Sequence, residues 1–466
     1  MPSAESLTTA SVANLAGVHK DTLLRWLRTG LVKEPRRNRF GWRTFSPAEA
    51  QSVVAFAKTA EPVQAPRIAA DQEARYLARL QGIDWDFQDA KTNYLTHGLH
   101  PYPAKFIPQI PNALIQELSS VGDTVGDIFC GSGTSLVEAL LLKRNAVGID
   151  ANPLACLLTR AKTTPISLED SEELLSLATR MRELGESLAL SRDESLFSEA
   201  FVSSAWRPDF SRLDFWFTPF AIEELAEIRK GCLECKTVAA RELALTAFSS
   251  IVVTVSKQDS DTRYVRREKN IGGGDTCKKF AKSLEQCVHA AVEFSEIVEP
   301  RFSCTVVSGS LLEGPMIPRL DLVVCSPPYP NAYSYHLYHM TRMVWLDMDQ
   351  PKFKKEEIGS HRKYSSNGKN AATVETFRKE FADILKWLSG HLKPSGYACF
   401  VVGDSTLKGQ RIDNTDLISK AGRSAGFSES MRFSRTMQST KKAFNPAIGK
   451  IKGEEILILR NDGPAE

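Results

Sequence analysis

Apolar positions near the start of the chain recur at helical spacing. In "TTASVANLAG", Val12, Leu15 and Ala16 share one face and Gly17 ends the run; "HKDTLLRWLRTG" repeats the pattern and closes at Gly30. "LVKEPRRNRFGWRTF" then predicts a two-stranded hairpin around Phe40-Gly41, and "SPAEAQSVVAFA" a third helix with Ser46 as N-cap and Pro47 at its first position. Two short helices about a Gly turn, followed by a hairpin, predict a small winged helix-turn-helix over residues 1–57. Residues 58–90 read as a linker ("EPVQAPRIAA") and a polar helix ("DQEARYLARL"). From residue 91 to 466 short apolar runs alternate with helical stretches. "TVGDIFC", "NAVGID", "RFSCTVVSGSLL", "DLVVC", "GYACFVVGDST" (with Asp404 at its tip) and "EEILILRN" read as strands of an α/β domain with a parallel sheet. Residues 163–299 interrupt the alternation between the second and third strands. They hold helical stretches, an aromatic cluster "AWRPDFSRLDFWFTPF", and "SKQDSDTRYVRREKNIGGGDTCKKFAK", which predicts an exposed loop.

Composition changes this picture little. A chain of 466 residues, 42% hydrophobic and 25% charged, has the balance of a soluble globular protein. No apolar run reads as long enough to span a bilayer, and "MPSAESLTTASV" lacks the basic start and apolar stretch of a secretory signal. Nine cysteines, an odd number, fit reduced thiols, so a cytoplasmic protein is expected. "CLEC", Cys232 to Cys235, has no second pair at zinc-site spacing, and no metal is predicted.

The net charge of +3 does not identify a partner, but its distribution does. Residues 20–43 carry eight basic residues against Asp21 and Glu34, a local +6. A groove-inserted helix and a wing on phosphates need that sign, so Lys20, Arg25, Arg36, Arg37, Arg39 and Arg43 are candidate contacts to double-stranded DNA, with Trp42 and Phe45 beside them. Residues 257–282 carry a local +4; within them Arg263, Arg266 and Arg267 are a second candidate contact, placing target recognition in the 163–299 insertion. Residues 431–453 hold Arg432, Arg435 and four lysines without an acid, and "KFKKEEIGSHRKYSSNGKN" reads as a polar loop able to close over DNA.

Two stretches carry chemistry. "DTVGDIFCGSGTSLVEALLLKRNAVGIDANPLA" is strand, Gly turn, helix, strand, acid. Asp150 follows Gly131 by 19 positions, where a βαβ unit puts an acid that accepts hydrogen bonds from ribose hydroxyls. The loop Gly131-Ser132-Gly133-Thr134-Ser135-Leu136 lacks the third glycine of a dinucleotide fingerprint, which argues against a nicotinamide cofactor. "DLVVC" ends in Ser326-Pro327-Pro328-Tyr329; prolines fix φ and lack an N–H, so the turn presents its carbonyls rigidly. Alone this motif would read as a plain turn.

"DIFCGSGTSLVEA" resembles the D-x-F-x-G-x-G-T loop of S-adenosylmethionine-dependent DNA amino-methyltransferases, "HPYPAKFIP" resembles the segment that precedes it there, and "SPPY" resembles their [DNS]-P-P-[YFW] motif. Over about residues 91–162 and 300–460 the chain is similar to the N4-cytosine/N6-adenine DNA methyltransferases, and residues 1–57 resemble the DNA-binding domain of MerR-type regulators. The resemblance implies a Rossmann-like class I methyltransferase sheet with a helical insertion, and S-adenosylmethionine as cofactor. It assigns cofactor contacts to His100, Tyr102, Pro103, Lys105, Phe106, Asp127, Phe129, Gly131, Gly133, Thr134, Asp150 and Asn152, and to Ser310 where relatives often carry an acid. It implies that Ser326 and the Pro327 carbonyl receive the amine protons of a flipped base, that Pro328 stiffens the turn and that Tyr329 stacks on the base. A leading Ser is commoner among N4-cytosine enzymes; N6-adenine transfer, or a regulator that senses the cofactor without catalysis, stays open, as does a cognate restriction partner. Methylation at cytosine C5 needs a Cys thiolate following a proline, and no Pro-Cys dipeptide occurs in the sequence.

Overall fold

The alternating runs of residues 124–461 build one seven-stranded sheet buried on both faces. The computed structural model describes residues 7–18, 20–28, 30–37, 43–59, 76, 78–88, 90–194, 201–330, 333–365, 372–407, 409–436 and 453–463. The N-terminal part comprises β1 (Leu7–Thr8), α1 (Thr9–Leu15), α2 (Lys20–Arg28), β2 (Arg36–Arg37), β3 (Arg43–Phe45) and α3 (Pro47–Thr59). Val12, Leu23, Trp26, Leu27, Val32, Phe45 and Val53 form its core. Ser46 and Glu49 cap α3 reciprocally: the Ser46 N–H donates to Glu49 Oε2 at 2.7 Å and the Glu49 N–H to Ser46 Oγ at 3.3 Å. The wing gains a strand the pattern did not show, since β1 pairs with β3 on the side away from β2. Phe40-Gly41, Arg39 and Trp42 lie outside the described residues, as do the side chains of Arg25 and Arg37.

One wing residue is corrected. Arg43 does not face solvent; it is 3% exposed and bound to Glu34 at 2.7 Å, to Glu117 and to Gln116. Glu117 and Gln116 belong to α4 (Gln109–Leu118), in the larger part of the chain. Each guanidinium nitrogen is bonded, two to carboxylates and one to the Gln116 amide oxygen, and the group is buried out of reach of phosphate, so Arg43 ties the wing to α4 instead. Lys20 is half-buried, whereas Arg36 is exposed.

After α4 come β4 (Thr124–Asp127), α5 (Thr134–Leu141), β5 (Asn145–Asp150) and α6 (Pro153–Thr163). The insertion follows: α7 (Leu168–Glu194), α8 (Leu213–Trp216), α9 (Pro219–Leu233), α10 (Val238–Val255), the hairpin β6 (Gln258–Ser260) and β7 (Arg263–Arg266), and α11 (Asp275–Ile297). Then come β8 (Cys304–Ser308), β9 (Leu320–Cys325), α12 (Tyr335–Tyr338), α13 (Met340–Trp345), α14 (Gln350–Glu356), α15 (His361–Tyr364), α16 (Val374–His391) and β10 (Leu392–Gly403). A small hairpin, β11 (Ser405–Leu407) and β12 (Gln410–Ile412), precedes α17 (Asn414–Ser424), β13 (Phe427–Thr436) and β14 (Gly453–Asn461).

The sheet order is β13-β14-β10-β9-β4-β5-β8. Strands β8, β5, β4, β9 and β10 run parallel, while β14 and β13 pair antiparallel at one edge. The sheet is Rossmann-like, mixed rather than purely parallel. Side chains of β9 alternate between its two faces: Val323 and Cys325 join Phe377, Phe381, Leu385 and Ile418, while Leu322 and Val324 join Ile110, Leu114, Leu136 and Leu140.

The insertion has its own core, in which Trp216, Phe217, Phe248, Phe280 and Trp345 pack. α10 is long and apolar enough to cross a membrane, unlike the sequence expectation, but 61% of that window is buried in this core. The stretch after it is also corrected: its start is the β6–β7 hairpin and its end is α11, not an open loop. Arg263 and Arg267 pair with Asp259, both at 3.5 Å, and Arg266 with Glu268. Likewise Arg432 and Arg435 sit on β13, Arg432 bonded to Glu429 of the same strand and Arg435 to Glu454 across on β14; residues 437–452 lie outside the described residues.

Candidate active site

The order of the sheet reverses at β4. Its neighbour toward one edge is β5 and toward the other β9, and the register pairs Val125 with Leu322 and Gly126 with Val323. A crevice opens outside the carboxyl ends of parallel strands at such a reversal. Residues 128–133 leave β4 there and Ser326 to Tyr329 leave β9, so the Gly turn and the Ser-Pro-Pro-Tyr turn emerge from hydrogen-bonded neighbours.

The Gly turn needs backbone angles that side chains resist: Gly131 has φ +48° and Gly133 +79°. A Cβ on Gly133 would lie 3.0 Å from the Thr159 side chain. Asp150, at the tip of β5, fixes the turn from the side; its Oδ2 accepts the Gly131 N–H at 2.8 Å and its Oδ1 the Asn152 N–H at 2.8 Å. Each oxygen keeps a further lone pair. Burial outweighs these two hydrogen bonds and pushes the Asp150 carboxyl up to about 6. Asp127 turns inward, accepting from Ser135 Oγ at 2.7 Å and the Phe129 N–H at 3.2 Å, and burial lifts it to about 7. Thr134 is buried at the start of α5, and Phe129 stacks on Phe381 with centroids 6.0 Å apart. Ser132 Oγ, in the middle of the turn, is buried and has no hydrogen-bond partner among the described residues.

The "HPYPAKF" segment supplies one wall. Tyr102 comes closest to the turn: a Cβ on Gly131 would touch its ring at 3.4 Å, and Asn152 Nδ2 donates to its hydroxyl at 3.3 Å. Pro103 is buried behind it, Phe106 packs into the sheet's core and Lys105 donates to the His97 carbonyl at 2.9 Å. His100 points elsewhere, toward the insertion, with its Nε2 3.0 Å from Ser249 Oγ on α10. Burial pushes its imidazole well below the ordinary histidine range, so it is neutral. Ser310 caps the short turn after β8 through the Leu312 N–H at 3.3 Å.

On the β9 side, Ser326 Oγ lies 3.5 Å from the Tyr329 hydroxyl, and Tyr329 is half-buried. The residues after it complete the wall. Tyr335 stacks on Tyr102 at 5.7 Å and 19°, His339 packs edge-on against Tyr102 at 5.1 Å, and Tyr333, 37% exposed, packs on Tyr335 and Tyr338. The polar loop predicted to close over DNA is folded here instead: α14, α15 and the turn between them pack on residues 333–338, while residues 366–371 lie outside the described residues.

Sequence reasoning missed a buried polar chain behind the wall. Glu138 on α5 accepts from Tyr94 at 2.5 Å, from Asn112 at 2.6 Å, and pairs with His97 at 2.8 Å; Asn112 in turn bonds Gln116, the partner of Arg43. The one available signal was an acid inside the apolar run "SLVEALLL". Among the described residues no cluster of His, Cys, Asp or Glu is arranged to hold a metal, and Cys232 and Cys235 are buried thiols.

Residues 48–160 match the family model described as DNA methylase, of the N6/N4 type, and residues 7–55 match that of the MerR helix-turn-helix family of regulatory proteins. The type II methyltransferase M.MvaI of Kocuria varians is 26% identical over 382 residues, covering 72% of this chain and 82% of that protein. The type II methyltransferase M.MjaII of Methanocaldococcus jannaschii is 33% identical over 113 residues, 23% of this chain and only 21% of that protein. Among solved structures, TrmN from Thermus thermophilus matches at 10% identity over 98% of this chain and 81% of its own, with a TM-score of 0.30.

Proposed function

This chain belongs to the N6/N4 DNA methylases and carries a MerR-type helix-turn-helix at its N-terminal end, and from that premise we propose that it methylates the exocyclic N4 amine of cytosine in double-stranded DNA. The observation that carries the reading is the emergence of the Gly turn and Ser326 to Tyr329 from adjacent parallel strands at the reversal of strand order. S-adenosylmethionine is the methyl donor, and when bound it supplies an electrophilic sulfonium methyl. The residues fit it: two glycines in left-handed conformation, a strand-tip carboxylate with lone pairs to spare, and the orphaned Ser132 hydroxyl. Asp150 would accept from the ribose hydroxyls, the turn would hold the remainder, and Tyr102, Pro103 and Asn152 would wall the pocket. Lys105 and Phe106 would support that wall.

An exocyclic amine is a weak nucleophile because its lone pair is delocalised into the ring. Ser326 Oγ and the Pro327 carbonyl would hold its protons, favouring a pyramidal nitrogen whose lone pair points at the donor. Tyr329 would offer a face to the flipped base, offsetting part of the lost stacking. Positioning carries the step; no covalent enzyme intermediate is needed. Arg36, with Lys20, Arg25, Arg37 and Arg39 but not Arg43, would neutralise phosphates. Arg263 to Arg267 would approach DNA from the insertion, since their hairpin is fastened beside the site: Gln258 Nε2 donates to the Tyr338 carbonyl at 3.1 Å.

Incubation of DNA with methyl-labelled cofactor, followed by nucleoside analysis, tests the proposal. N4-methylcytosine is the expected product. N6-methyladenine would overturn the choice of base, and no labelled nucleoside on any DNA would overturn the enzyme reading in favour of a cofactor-sensing regulator.

A further inference from the structure

Glu357 has no place in the chemistry above, yet it is a carboxylate only 4% exposed, in a polar loop, beside the site. Its Oε1 accepts the backbone N–H of Tyr335 at 2.5 Å and of His336 at 3.3 Å, and its Oε2 lies 2.5 Å from His336 Nδ1. No arginine or lysine side chain pairs with this carboxylate among the described residues; three N–H groups satisfy it. Around it the loop makes further contacts to the same segment. Ser360 Oγ lies 3.0 Å from Ser334 Oγ, and Gln350 Nε2 donates to the His336 carbonyl at 3.0 Å. At Gly359 (φ +73°) a Cβ would fall 2.3 Å from the carbonyl oxygen of Tyr329, so the loop's backbone lies directly on the last residue of the catalytic turn.

What the loop holds in place is Tyr335. That ring stacks on Tyr102, its hydroxyl donates to the Pro103 carbonyl at 3.5 Å, and Tyr102 covers Gly131. A line of direct contacts therefore runs from Glu357 through Tyr335 and Tyr102 to the cofactor turn. We propose that Glu357 is a positioning residue that, by fixing Tyr335 against Tyr102, shapes the methyl-donor pocket from the side of the base-binding turn. The proposal rests on residues 102 and 131–133 bounding the donor pocket, and it does not depend on which base is methylated.

A double-mutant cycle on S-adenosylmethionine affinity, read by calorimetry on the full chain without DNA, tests it. Glu357→Ala and Tyr335→Ala should each weaken binding about tenfold, and the double variant should be no worse than either alone, the signature of two residues in one network. Glu357→Gln should stay within about threefold of the parent, because its amide oxygen still accepts the two backbone N–H groups while its NH2 donates to His336 Nδ1 after a tautomer change. Parental affinity in Glu357→Ala, or losses that simply add, would overturn the proposal; so would a Glu357→Gln as weak as Glu357→Ala. If Glu357→Ala does not fold, Glu357→Asp, which keeps the charge but shortens the reach by one methylene, is expected to show the same tenfold loss and the same non-additivity with Tyr335→Ala. A parent that binds the donor but methylates no DNA would defeat the proposed function and leave this cycle fully decisive.

Discussion

Ser326 and Asp150 make opposite demands on a side chain, and both are testable. Ser326 lies on a turn stiffened by two prolines, with the Tyr329 hydroxyl 3.5 Å from its oxygen. Ser326→Ala is expected to lower kcat by roughly 10²-fold or more, the cost of losing one preorganised hydrogen-bonding group, with DNA and donor affinity unchanged. Single-turnover rates beside equilibrium binding measure this; full methylation by the variant would remove Ser326 from the chemistry. Asp150 brings a pH dependence. Burial raises its carboxyl from 3.8 to about 6, so the folded protein holds that proton more tightly than the unfolded chain. Its ionisation therefore costs stability as pH rises between these values, while its carboxylate is the form that, on the proposed function, would accept ribose hydroxyls. Donor affinity should thus increase as pH climbs through about 6, and Asp150→Asn should flatten that profile, at some cost in stability because its NH2 faces one of the two backbone N–H groups that the carboxylate accepts. Asp150 was legible in the sequence because strand, Gly turn, helix and strand fix its place. His100 was not: the motif gives its position along the chain but not its partner, and Ser249 is 149 residues away.

Among elements, the winged hairpin departs most from its sequence reading. Helical period, a Gly turn and an N-cap located α1, α2 and α3, because those signals are local. Nothing local separates an arginine bound for phosphate from one bound for a carboxylate 74 residues away, and Arg43 is the latter. The difference has thermodynamic consequences. Arg43→Ala takes from the buried Glu117 one of its two guanidinium partners and from Glu34 its ion pair at 2.7 Å, and breaking a buried pair on one side costs up to about 3–5 kcal/mol. Arg36→Ala, on the exposed face of β2, should change stability by no more than about 0.5 kcal/mol. DNA binding should show the reverse ranking per folded molecule, with Arg36→Ala lowering the slope of log affinity against log salt by about one phosphate contact. Urea melts and salt titrations on the two variants separate the roles. The β6–β7 hairpin and β13 escaped the sequence for a related reason: their basic residues dominate the composition, and Asp259, Glu454 and Glu455 meet them across a strand pair.

At the scale of the whole molecule, the contacts of Arg43 and Arg79 bear on how many independent bodies the chain contains. The helix-turn-helix and the sheet domain are separated by residues 58–90, composed like a linker, which by itself suggests two modules moving freely. Buried contacts oppose that. Arg79 bonds the Leu27 carbonyl at the end of α2 and pairs with Glu117 at 3.2 Å, while Arg43 pairs with Glu117 from the wing. From Gln116 the polar chain continues through Asn112 to Glu138 and His97, behind the proposed donor pocket. Arg43 has Glu34 within its own domain but gives its other contacts to α4, and a domain whose buried charge is partly neutralised by its neighbour loses stability once released from it. The intact protein should therefore unfold in a single calorimetric transition spanning both parts, with the calorimetric and van't Hoff enthalpies equal. In the full-length double variant Arg43→Ala/Arg79→Ala the transition should split, the helix-turn-helix melting first because its small core buries less apolar surface than the sheet. Two transitions already present in the parent would mean that the wing contacts are too weak to join the domains, and that the two surfaces proposed to meet DNA act independently.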